Sequence, residues 1–308
     1  LYHKPRSISK SKPRSMIDFV KIRLVGVDVN YLKSLNILDF KTIVSEKTGV
    51  LGTKSIADYH FCKITIYDNG TTIFTGSIHK LWNSLCNVKA PNCNKREIYK
   101  GFNGNQFNYG DINFVRCHLV KLFNYQPHQM VFQNLELGVN TTPLFKPNLY
   151  LKGLLFHNGK PFEYRYNKSY AQVPHQRYIL KLYNKSRQYD MDYSVLRVEL
   201  KIKKMCELNG LGINTFEDID IPTLNKAKGL LLRRFDEVAH YDYTINKKAL
   251  PNRDLKAIIQ YSNTMYWIDT LKPKYRDRHK KRLKKIVEHH SKNLHSKIGE
   301  EIVNKCVT

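Results

Sequence analysis

Acidic residues are scarce in this chain: 26 Asp and Glu stand against 52 Lys and Arg, a formal net charge of +26 over 308 residues. A self-repelling surplus of that size is tolerated most readily when the partner is a polyanion. Long apolar runs are also missing. None approaches the roughly 18 residues that span a bilayer, and no apolar stretch leads to a small-residue cleavage site, so a cytoplasmic protein without membrane segments is expected. The six cysteines (Cys62, Cys86, Cys93, Cys117, Cys206, Cys306) form no C-x-x-C pair, which argues against a zinc site or a disulfide framework. Pro and Gly, at 11 and 15, are not in excess, and neither low-complexity tracts nor internal repeats occur, so disorder is not the default.

What the chain does have is a 42% hydrophobic content, ample for a core, together with 20 Tyr and 14 Phe. Cations meet phosphates and rings stack on unpaired bases, so surplus charge and abundant rings together point to nucleic acid.

Residues 1–15, LYHKPRSISKSKPRS, read as a flexible basic arm ahead of a strand beginning near Met16, MIDFVKIRL. NYLKSLNILDF suggests a short helix, and HFCKITIYDNGTTIFTGSIHKLWN a hairpin turned by Asp-Asn-Gly, with His79 ending its second strand. A helix is expected from about Asp111, a strand at MVFQNLELGVN, a turn at NGKP, and a helix around KIKKMCELNGLGI. From residue 221 the pattern turns helical and increasingly basic. The expected fold class is α+β: an antiparallel sheet domain over 16–220, followed by a helical basic region over 221–308.

Three strands carry the chemistry. In YILKLYNKSRQYDMDYSVLRVELKI, period-two alternation sets Lys181, Tyr183 and Lys185 opposite Leu180 and Leu182, and Arg197, Glu199 and Lys201 opposite Leu196, Val198 and Leu200. In QNLELGVN, Glu136 stands opposite Leu135 and Leu137. If these strands pair, two carboxylates, a phenol and several cations share one face, because a one-residue slip would bury every charge. The plainer interpretation is a half-solvated face held by cross-strand Lys–Glu pairs. The catalytic interpretation is phosphodiester cleavage. Glu136 and Glu199, joined by His175 or His79, would hold Mg²⁺ or Mn²⁺, while a Tyr hydroxyl attacks phosphorus and Lys181 and Lys185 offset developing charge.

The order MIDFVKIRL, GSIHKLWN, NLELGVN, LKLYNK and VLRVELKIKKMCELNGLGINTFEDI resembles the replication initiators of filamentous phages and rolling-circle plasmids, most of all the phage gene II type, over roughly residues 16–245. The resemblance implies a relaxase-like nuclease core that nicks and rejoins single-stranded origin DNA through a tyrosine–phosphate intermediate in a bacterial host. Host helicase or polymerase would be further partners. It matches Glu199 to the carboxylate of the Arg-x-Glu strand, Glu136 to an acidic strand residue, and Tyr183 and Lys185 to a Tyr-x-Lys pattern. The tyrosine that such initiators carry in the following helix has no counterpart in KIKKMCELNGL. Tyr183 is therefore the first candidate nucleophile and Tyr241, with Tyr243, the second; Tyr178 leans to the core side.

KPKYRDRHKKRLKKIVEHH is the densest basic stretch. Lys272, Lys274, Arg276, Arg278, Lys280, Lys281, Arg282, Lys284 and Lys285 are expected to hold duplex DNA by its phosphates, with Arg197 and Lys201 contacting DNA on the sheet. Two other readings fit the same residues: a non-catalytic DNA-binding replication or regulatory protein, and an RNA-binding sheet protein.

Overall fold

The structure is a computed structural model and describes residues 16–44, 47–95 and 98–305; the arm expected at 1–15 lies outside them. The chain enters β1 (Ile17–Leu24), passes α1 (Val29–Ser34) and lays down β2 (Lys41–Val44), β3 (Leu51–Tyr59), β4 (Cys62–Tyr67) and β5 (Thr72–Ser77). α2 (Ile78–Leu85) and α3 (Tyr109–Phe123) precede the long strand β6 (Met130–Thr141). Next come α4 (Pro147–Leu151), β7 (Leu154–His157), β8 (Lys160–Pro161), β9 (Glu163–Arg165) and β10 (Tyr170–Pro174). β11 (Tyr178–Asn184), α5 (Lys185–Tyr189) and β12 (Leu196–Ile202) complete the sheet. The remainder is α6 (Ile221–Asp236), β13 (Val238–His240), α7 (Asn252–Tyr261), α8 (Pro273–His290) and α9 (Leu294–Lys305).

The expected mixture of helices and antiparallel sheet is present. Ten of the described strands form one sheet in the order β2-β3-β4-β5-β1-β6-β12-β11-β10-β9, while β13, β7 and β8 form a small second sheet. Leu135, Leu137, Leu180, Val198 and Leu200 sit on one face of the large sheet and are buried against α3, α6 and α9. α3 begins where Asn108 and Asp111 cap one another's backbone N–H groups, and α6 begins with the same reciprocal arrangement at Asp220 and Thr223. α6 and α9 thus join the main core although both lie beyond residue 220. A second core gathers Leu155 and Phe156 of β7 with α7 and the Leu283, Ile286 and Val287 stripe of α8.

Several local expectations change. His79 does not end a strand but lies in the first turn of α2, whose N-cap Ser77 accepts from the Lys80 N–H. KIKKMCELNGLGI forms a short 3₁₀ turn at Met205–Leu211, and AHYDY contains β13 rather than helix. Among the described residues no helix is long and apolar enough to cross a membrane.

Candidate functional site

The other face of the sheet carries the charges. β12 pairs with β11 in a register that sets Lys181 against Glu199 and Tyr183 against Arg197, and with β6 so that Lys201 faces Glu136 and Arg197 faces Asn140. The two glutamates, the lysines and the phenol do share one surface, as alternation requires. That surface is not open. Glu199 is 2% and Glu136 8% exposed, and Ala90, Phe102, Tyr189, Met191 and Val195 form a small apolar cluster of their own.

One cation occupies the space between the glutamates. Lys181 Nζ donates to Glu136 Oε1 at 2.9 Å and to Glu199 Oε1 at 2.7 Å. Arg197 Nε donates to Glu199 Oε2 at 2.7 Å, and Lys201 Nζ lies 3.2 Å from Glu136. Burial would raise the Glu199 carboxyl, but Lys181 and Arg197 outweigh it and hold the group below the usual range. For Glu136 burial wins, helped by the Glu199 charge, and lifts it to about 7 against the pull of Lys181.

The ion-binding set expected from the sequence does not assemble. The Lys181 ammonium stands where the ion would bridge the two carboxylates. His175 lies elsewhere, its Nε2 2.8 Å from His157 Nδ1 and its carbonyl accepting from Lys203. Among the described residues no group of three or more His, Cys, Asp or Glu could hold a metal, and the Lys181 ammonium bonds both nominated carboxylates.

Other assignments also change. The Tyr183 hydroxyl donates to Glu199 Oε2 at 3.1 Å, and burial together with the Glu199 charge raises its pKa well above that of a free phenol, the reverse of activation. Lys185 leaves the strand, starts α5 and is buried with its Nζ on Asn103 Oδ1. Burial and the Arg197 charge lower its pKa to about 7. Tyr241 is buried in the second core, away from the sheet face. Arg197 is no surface contact at 3% exposure, whereas Lys201 is partly exposed and lies over the Phe19 ring. On α8 and the residue before it, Lys272, Lys274, Arg278, Lys281, Lys284 and Lys285 are exposed. Three others are structural: Arg276 donates to Ile268 O, Lys280 to Glu237 O and Arg282 to Asp254.

The opening onto this network is a pocket of about 310 Å³, whose lining includes Asp18, His79, Asn105, Asn140, Tyr193 and Arg197. A strict period of two along β1 would place Asp18 with the core residues Val20 and Ile22. A bulge between Ile17 and Val20 against β6 turns it to the charged face instead. There Asp18 Oδ2 accepts from Asn103 Nδ2 at 2.6 Å and lies 3.0 Å from Arg197 Nη2, and Oδ1 accepts from Ser77. Burial raises the Asp18 carboxyl, but Arg197 and Lys185 overcome it and keep it ionised. Despite that ion pair, Arg197 Nη2 has no aligned hydrogen-bond acceptor among the described residues. It lies over Gly138, where an added Cβ would come within 2.8 Å of it.

His79 is stacked on Phe107 at 4.6 Å, and its Nε2–H donates to Asn105 Oδ1 at 2.7 Å. Burial drives its pKa down to about 4, so the ring is neutral with Nδ1 as its basic nitrogen. Tyr193 is 52% exposed. Sequence reading missed Asp18, Asn103, Asn105 and Tyr193. An acid at a core-parity position in β1 was the available signal for Asp18; an exposed tyrosine between helix and strand offered none for Tyr193.

No family model and no curated protein matches the chain. Among solved structures it is similar to the rolling circle replication initiator protein from Geobacillus stearothermophilus. The two are 14% identical, the match covers 82% of this chain and 97% of that one, and the TM-score is 0.39.

Proposed function

We propose that the protein nicks and rejoins single-stranded DNA at the Asp18–His79–Arg197 pocket, initiating rolling-circle replication of a phage or plasmid. The observation that carries this reading is the Arg197 guanidinium, a cation in the pocket wall that pairs with Asp18, Glu199 and Asn140 yet keeps Nη2 without an aligned hydrogen-bond acceptor among the described residues. A phosphodiester oxygen entering the pocket would give Nη2 an aligned, charge-assisted acceptor of the kind guanidinium groups favour. Buried ionic networks with displaced pKa values also concentrate at working sites.

Tyr193 is the nucleophile in this reading. Its oxygen forms a bond to phosphorus as the P–O3′ bond breaks, leaving a 5′-phosphotyrosine and a free 3′ hydroxyl. The phenol proton leaves through water in the pocket, and the departing 3′ oxygen takes a proton from solvent. Arg197 offsets charge on the non-bridging oxygens. Lys181, Glu136, Glu199 and Tyr183 hold Arg197 in place without touching the phosphate.

The test is trapping. A random single-stranded DNA library, incubated with the protein and Mg²⁺ or Mn²⁺, should yield a detergent-resistant protein–DNA adduct and a 3′ end that a polymerase extends. A second reading is favoured by the lysine between the glutamates: an origin-binding protein that does not cut. Retention of the library on folded protein without any adduct would select it.

A further inference from the structure

The β3–β4 reversal is made by two residues, His60 and Phe61, at φ 45° and 66°. Two-residue hairpin turns of this kind normally use Asn-Gly or Asp-Gly, because a Cβ makes the left-handed region costly. A His-Phe pair there is strained backbone held by its surroundings. His60 Nδ1 is tied to Ser84 Oγ of α2 at 2.8 Å. The strain places Phe61 in a defined position while leaving it 43% exposed.

Phe61 meets Tyr99 edge to face, with ring centroids 5.5 Å apart at 89°. It packs over Gly101, where any Cβ would come within 2.8 Å of its ring. Gly101 itself has φ 75°, so backbone and neighbour both call for glycine. Beside these rings is a cavity of about 480 Å³ lined by Lys80, Ile98, Tyr99, Lys100 and Tyr189, with no carboxylate among its described lining residues. Lys80 follows His79 directly in α2, and the Tyr189 hydroxyl bonds the same Asn103 oxygen as Lys185. The cavity therefore adjoins the network around the candidate site.

We propose that Phe61 and Tyr99 form a stacking platform for an unpaired base of the single strand, with Lys80 and Lys100 meeting the adjoining phosphates. The proposal rests on the reading of the protein as one that handles single-stranded DNA, and it names where a base of that strand is held. An exposed Phe61 ring backed by a half-buried Tyr99, an acid-free basic cavity and a strained turn that fixes a ring in solvent are features such a platform requires.

The test compares binding of a fluorescent twelve-residue thymidine strand with an abasic strand of equal length, followed by anisotropy at fixed salt. The wild-type protein should prefer the thymidine strand by about tenfold, the range expected for one base–ring stack. Phe61→Asn should abolish that preference and, because Asn accepts the left-handed turn, raise the melting temperature; Phe61→Trp should keep the preference. An equal preference in wild type and Phe61→Asn, or a preference lost in Phe61→Trp, would overturn the platform. So would a wild-type protein that does not distinguish the two strands. Covalent adduct formation is read separately, so the platform can fail while nicking stands, and the reverse.

Discussion

Lys181 and Glu199 face one another across β11 and β12 at 2.7 Å, and the same ammonium reaches Glu136 at 2.9 Å. One lysine therefore compensates two buried carboxylates. Lys181→Met should leave both without it and destabilise the fold by about 3–5 kcal/mol, the usual cost of stranding a buried charge. Adding Glu199→Gln should restore part of that loss. Urea unfolding of the single and double variants measures both; a single-variant loss under about 1 kcal/mol would contradict the shared-cation arrangement.

Glu136 gives the pH dependence a definite sign. Its carboxyl rises from 4.5 to about 7 on folding, so below 4.5 both states are protonated and it contributes nothing. As pH climbs through that window the unfolded chain releases its proton first, and the group costs stability that is fully lost above about 7. Glu136→Gln removes this dependence. The melting temperature of the variant relative to wild type should rise from pH 4.5 to pH 8, by the equivalent of about 2–3 kcal/mol. A difference that falls with pH would reverse the assignment.

The exposed cations of α8 and its cap should act on affinity and the buried ones on stability. Neutralising Lys274, Arg278, Lys281 and Lys285 together should flatten the salt dependence of duplex binding by about 0.9 in log–log slope for each phosphate left unneutralised. Arg282→Ala, which breaks the 2.6 Å pair with Asp254, should lower the melting temperature and leave the slope nearly unchanged. Affinities measured at a series of salt concentrations separate the two.

Gly138 tests the guanidinium. A methyl group there would come within 2.8 Å of Arg197 Nη2 and 3.1 Å of the Val198 carbonyl. Gly138→Ala should displace Arg197 and weaken single-strand binding about tenfold, with an overpacking cost of about 1–3 kcal/mol. Unchanged binding would separate Arg197 from the strand.

The charged face was legible because period two is rigid: once Leu180, Val198 and Leu135 are assigned to the core, Lys181, Glu199 and Glu136 have only one side left. Which of them would be covered was not legible, since period two assigns a side of the sheet and not what packs over it. Asp18 was hidden by a bulge, which breaks the period that alternation relies on. Lys185 was set with the strand residues although Asn184 caps a helix at that point, its side chain accepting from the Arg187 N–H. Alternation likewise gives a side, and not whether a lysine or water occupies the space between two acids.

The central claim is that Tyr193, at the mouth of the Arg197 pocket, is the residue that becomes joined to DNA. Protease digestion and mass spectrometry of trapped adduct, from wild-type protein and from Tyr193→Phe, test it most directly. The expected result is a nucleotide-bearing peptide containing Tyr193, absent from the variant. A modified tyrosine anywhere else, or no modified peptide from folded protein that holds the strand, would contradict it.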